Sequence, residues 1–204
     1  MIGSLLDVKA EKDSKGNVRS LEMLLNIKRK TDVIDTIHVK CDDEGVINKI
    51  NDIGGLMEGS FCRVIGSIIP EHIKGEYASV ICIRASKIEV LDKSKFTEDQ
   101  YRNKVFGRFG VREVSELKNI ENGSKLLSVK VGSISKDESN VVFRTIFWND
   151  KAEKYCNLEV GEEIFLSGRL QQRSYVHNKD GKQQVREVYE VCVSRVGREG
   201  EDYE

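Results

Sequence analysis

The sequence predicts an all-β chain with short helices, built as two tandem five-stranded barrels. Two observations carry this. Each half reads as three strands, a short helix and two more strands. A glycine-framed strand also recurs. Met57-Glu58-Gly59 followed by Ser60 to Ile68 lines up with Glu159-Val160-Gly161 followed by Glu162 to Leu170, and seven positions separate Gly59 from Gly66 and Gly161 from Gly168. Asp35 to Val39 is aligned with Arg144 to Trp148 in the same reading.

In the first half, residues 2–10 read as a strand and Lys15-Gly16 as a loop. Val18 to Lys28 is a long strand, Thr31-Asp32 a turn and Val33 to Cys41 a third strand. Asp42 to Ile53 gives a loop and short helix, ended by Gly54-Gly55. Ser60 to Ile69 and Ala78 to Leu91 are the last two strands, joined by a loop with Pro70 and His72. This is the element order of an OB-fold barrel.

In the second half, Val142, Arg144, Ile146 and Trp148 alternate with Phe143, Thr145 and Phe147, as in a strand with one buried face. Asn149 or Asp150 caps a helix whose apolar face is Ala152, Tyr155 and Cys156, and Gly161 stops it. In the next strand Ile164, Leu166, Gly168 and Leu170 share one face. Phe165, Ser167, Arg169, Gln171, Arg173 and Tyr175 share the other. Asp180-Gly181 marks a hairpin, with His177 in its loop. The domains expected are residues 1–92 and 103–197, a polar linker at 93–102 pinned to one barrel by Phe96 and Tyr101, and a short acidic tail at 198–204.

Composition excludes several classes. No run approaches 18 apolar residues, so no membrane span is expected. The N-terminus lacks the pattern of a secretory signal. Five cysteines without close spacing argue for reduced thiols and a cytoplasmic location, and three scattered histidines leave zinc unsupported. No phosphate loop, metalloprotease helix or nucleophile elbow occurs. The chain therefore reads as non-enzymatic, with no catalytic residue, cofactor or metal. Net charge is -1, but residues 103–197 carry 16 Lys and Arg against 13 Asp and Glu, whereas residues 1–92 carry 13 against 15.

The second half thus holds the better candidate surface. Arg144 lies with Trp148 on one strand, and Arg169 and Arg173 with Tyr175 on another. Arginine offers phosphate a planar fork, and an aromatic face stacks on a free base. The arginines would meet phosphates, with Lys104, Lys130 and Lys182 as weaker candidates, and Trp148 and Tyr175 would take bases. In the first half Val39 and Asp35 occupy the aligned positions of Trp148 and Arg144. That barrel is read as having lost the binding face. Its basic run Lys28-Arg29-Lys30 reads as a solvated strand end or turn.

Gly168-Arg169-Leu170-Gln171-Gln172-Arg173-Ser174-Tyr175, with the helix stop before it and the hairpin after it, resembles the bacterial-type single-stranded DNA-binding proteins. Trp148 closing its strand is similar to the family's aromatic there. Asn103-Lys104-Val105 with Gly107-x-x-Gly110 is similar to its opening strand. The resemblance covers residues 103–196. Three features depart from it: no aromatic in Ser133 to Asp137, no Asp-Pro-Glu after the opening glycines, and no acidic tail ending in Pro-Phe. The resemblance implies largely sequence-independent binding of single-stranded DNA in replication, recombination or repair. It also implies a homodimer that brings four barrels together. The missing tail suggests a phage or other mobile element. Replication or repair proteins are possible partners. The other class considered is a replication or primosome adaptor, in which the barrels mainly meet proteins. RNA remains an alternative ligand, because stacking does not distinguish sugars well.

Overall fold

The computed structural model describes residues 1–72, 79–134, 141–179 and 182–198. They form two units, Met1–Glu71 with Ile81–Asn103, and His72–Val80 with Lys104–Glu204.

The first unit is a closed barrel of five strands: β1 (Ile2–Lys12), β2 (Val18–Lys28), β3 (Ile34–Cys41), β4 (Phe61–His72) and β5 (Ser79–Leu91), with helix α1 (Glu44–Asp52) between β3 and β4. The order around the barrel is β1-β2-β3-β5-β4, closed by β1 on β4. Alternation builds it. Leu21, Met23, Leu25 and Ile27 of β2 and Asp35, Ile37, Val39 and Cys41 of β3 all point into the core. Asp43 caps α1, its Oδ1 accepting from the Val46 amide at 2.9 Å. The helix then buries Val46, Ile47 and Ile50. The linker belongs to this unit. Phe96 and Tyr101 ring-stack with Phe61, at centroid distances of 4.3 and 5.7 Å, and Arg102 bridges Ile2. His72, expected in a loop, ends β4, because that strand runs past Pro70.

The second unit holds β6 (Val105–Val114), β7 (Lys118–Asn119), β8 (Lys125–Gly132), β9 (Val142–Trp148), β10 (Glu163–Lys179) and β11 (Lys182–Arg198), with α2 (Asp150–Lys154) after β9. The pairings β6–β10, β10–β11, β11–β9, β9–β8 and β8–β6 close a ring. That ring repeats the first barrel, including its single parallel pair, β9–β11 here and β3–β5 there. Phe143, Phe147, Leu127, Ile164, Leu166, Leu170 and Val191 fill its core. His177 lies in β10, which extends beyond the expected loop, and Asp180-Gly181 falls outside the described residues.

The two framed strands are equivalent in space as well as in sequence. Gly59 and Gly161 both take positive φ, 78° and 97°, which glycine adopts without a Cβ penalty. A Cβ on Gly66 would fall 2.0 Å from the Arg84 carbonyl oxygen, and one on Gly168 would fall 2.3 Å from that of Cys192. Both glycines exist so that another backbone can come close.

The alignment of β3 with β9 needs correction. Asp35 and Val39 are buried, but Arg144 is exposed and Trp148 half-buried, so the aligned residues face opposite sides. Lys40 pairs with Arg84, and Ile146 with Cys192. The helix N-caps, Asp43 and Asn149, fix the same offset. His38 therefore corresponds to Arg144, and Asp42 to Trp148. The sequence alignment slipped by three residues because both strands carry a Thr-Ile pair.

Two helix details also differ. Asn149 sits at the N-cap of α2, but its side chain makes no cap bond. It takes φ 51° and its Oδ1 accepts from the Lys125 amide at 3.1 Å, tying α2 to β8. Ala152 and Tyr155 are buried as expected, whereas Cys156 is exposed, and Leu158 completes that face. Among the described residues no helix is long and apolar enough to cross a membrane, and no His, Cys, Asp or Glu cluster could hold a metal.

Candidate nucleic-acid interface

Because Ile164, Leu166 and Leu170 turn inward, the odd-numbered residues of β10 face out. Register then links a row through the five strands of the ring. Gln171 pairs with Glu190 on β11, Glu190 lies one step along the parallel ladder beside Arg144 on β9, Arg144 pairs with Lys130 on β8, and Lys130 pairs with Glu113 on β6. Arg169 and Arg173 lie two residues to either side of Gln171 on the same face. Trp148 ends β9 on that face, paired with Leu126. The strand order thus brings Arg144, Arg169, Arg173, Lys130 and Trp148 onto one surface.

Their states differ. Arg144 is exposed and has no ion-pair partner among the described residues. Lys130 is held by Glu113 at 2.6 Å. Arg173, its side chain half exposed, places Nε 3.4 Å from Glu190 Oε1. Arg169 donates from Nη2 to Gln171 Oε1 at 3.1 Å. Lys104, just before β6, stands 5.5 Å from the Phe106 ring centroid. Tyr175 and Lys182 pair with Arg186 and Lys179 in the hairpin ladder, and their side chains lie outside the described part of the structure.

Sequence reading missed four residues of this surface. Phe106 is 73% exposed and pairs with Ser167, beside Arg195, so both join the outer face. Phe165 is 41% exposed under the guanidinium of Arg108, 5.7 Å from its centroid. The alternation in Val105 to Phe109 could have revealed Phe106. Glu190 is the fourth, a carboxylate 1% exposed in the middle of the basic face. Nothing in its tripeptide Tyr189-Glu190-Val191 marks it.

The corresponding surface of the first unit is different. His38 and Asp42 stand for Arg144 and Trp148. Lys40 is paired with Glu22 at 2.9 Å, Arg84 with Asp42 at 3.7 Å, and Thr36 donates to Asn26 Oδ1 at 2.8 Å. The basic run is not a solvated turn throughout. Lys28 pairs with Asp32 at 3.1 Å, and Arg29 forks onto the buried carboxylate of Asp35.

Comparison with solved structures bears on the fold. A deletion variant of the single-stranded DNA binding protein from Thermus aquaticus superposes with a TM-score of 0.74 at 18% identity, over 100% of this chain and 94% of that one. The wild-type protein gives 0.72 at 17% identity, over 97% and 89%. At such identity the likeness establishes the fold. No curated protein matches the sequence. The model of the Single-strand binding protein family matches residues 105–198, which begin at β6 and end with β11. The family match is confined to the second unit, a little under half of the chain.

Proposed function

We propose that the chain binds single-stranded DNA through the outer face of its C-terminal barrel, with little sequence preference and without catalysis. The observation that carries this reading is the convergence of Arg144, Arg169 and Arg173 on one sheet face with Trp148 at its edge. The strand order creates that convergence from distant segments. Phosphates would meet the arginines, with Lys130, Lys104 and Lys182 at the margin. Bases would stack on Trp148 and Tyr175, and the exposed rings of Phe106 and Phe165 offer two more platforms. Function in replication, recombination or repair is part of the same proposal.

Trp148 is the sole tryptophan, so its fluorescence reports one place. Titration with oligo-dT should quench it, saturably and more weakly as salt rises. Trp148→Ala should weaken binding about tenfold or more, since one stacked base is worth about 1 to 3 kcal/mol. Binding that is absent, or indifferent to salt, would remove the proposal.

On the corresponding face of the first barrel Lys40 is matched by Glu22 and Arg84 by Asp42. This favours a second role for it, in assembly or protein contacts. We propose a homodimer of four barrels. Light scattering at working concentration should then give twice the chain mass of 23.2 kDa, and a monomer would refute it.

A further inference from the structure

We infer that Glu190 is a positioning residue for the basic face, holding two arginines through one buried carboxylate. The inference rests on the proposed binding of single-stranded DNA and names a device within it. Glu190 is 1% exposed, yet it sits beside Arg173 on the basic face. Its Oε1 accepts from Gln171 Nε2 at 2.9 Å and lies 3.4 Å from Arg173 Nε. Gln171, 7% exposed, has its amide oriented by that bond, so its Oε1 is presented to Arg169 Nη2 at 3.1 Å. Arg169 and Arg173 are thereby linked through Gln171 and Glu190 into one polar chain.

The geometry suits phosphate binding. Glu190 meets Arg173 at Nε, which leaves the terminal Nη groups of its fork for a ligand. Holding a long side chain in place before binding reduces the entropy lost when the ligand arrives. Glu190 Oε2 and Arg169 Nε are buried and have no hydrogen-bond partner among the described residues. Such atoms are costly unless a further group completes them.

The test turns on a sign. On charge alone, Glu190→Gln removes an anion from a phosphate-binding face and should tighten binding. Positioning requires the opposite. Wild type and Glu190→Gln are titrated with oligo-dT across a salt series. The variant should bind about threefold to tenfold more weakly, and its salt slope should fall by about 0.7, the value of one lost phosphate contact on a single strand. In an Arg173→Ala background the same change should add little. Equal or tighter binding would overturn the inference, as would weaker binding with an unchanged slope, which a general loosening of the fold produces. If Glu190→Gln fails to fold, Gln171→Leu takes its place. It should weaken binding about threefold and be non-additive with Arg169→Ala, and unchanged binding there would overturn the inference. A wild-type protein that does not bind oligo-dT at all would instead remove the proposed function itself.

Discussion

Arg29→Ala should destabilise the N-terminal unit by about 3–5 kcal/mol, the cost of stranding a buried charge. Asp35 is fully buried in β3, and Arg29 meets it with two donors, Nε at 2.8 Å to Oδ2 and Nη2 to Oδ1. The two ends of the pair are not equivalent. The Arg29 side chain is 21% exposed, whereas that of Asp35 is 1% exposed. Removing Asp35 leaves a guanidinium that can turn to water. Removing Arg29 leaves a carboxylate that cannot. Asp35→Ala should therefore cost less than Arg29→Ala, although the carboxylate is the more deeply buried partner. Replacing both with apolar residues of similar volume should recover most of the loss. Urea unfolding of the full chain measures this. A shift of the Arg29→Ala transition worth under about 1 kcal/mol would show that the pair behaves as an ordinary surface bridge.

This pair also marks what the sequence could reveal. Asp35 lies in an inward row with Ile37, Val39 and Cys41, so period-two reading places it in the core. What the sequence lacked was its partner, because Arg29 sits across a turn in a run that reads as solvated. The same limit produced the slipped alignment of β3 with β9. Alternation defines two faces but not which residue begins them, and matching Thr-Ile pairs outweighed burial parity that only the folded ladder supplies. Glycines were more informative. Gly59, Gly66, Gly161 and Gly168 each answer a backbone demand that no other residue meets without strain, so their spacing carried the repeat directly. The basic face was legible in part for a related reason. Arg144, Arg169 and Arg173 stand out by residue type, whereas Glu190 acquires its meaning from cross-strand register with Gln171 and from its place beside Arg144. Phe165 falls on the arginine face by alternation, and Phe106 is open to the same reading, but an exposed phenylalanine is not told from a core one by residue type.

Replacing Arg144, Arg169 and Arg173 together with alanine should weaken oligo-dT binding about a hundredfold at 0.1 M salt while leaving binding near 1 M little changed. Each phosphate contact on a single strand contributes about 0.7 to the slope of log affinity against log salt, so three contacts carry about 2.1, or two powers of ten over that range. Arg144→Ala alone is the cleanest component. It breaks no ion pair among the described residues, and it should cost about fivefold at 0.1 M by the same slope. Arg173→Ala is less clean, because it takes from Glu190 its nearest cation and leaves the carboxylate to Gln171. Thermal melts of each variant separate that loss from lost binding. Lines of log affinity that converge at high salt place the three arginines on phosphates. Lines that stay parallel, shifted equally at every salt, would mean that the substitutions disturb the sheet and that the phosphates are bound elsewhere. The distinction matters for Trp148 too. Stacking is far less sensitive to salt than phosphate contact, so Trp148→Ala should give the parallel shift that the arginine variant must not. The two variants measured side by side thus assign charge and stacking to separate residues of one face.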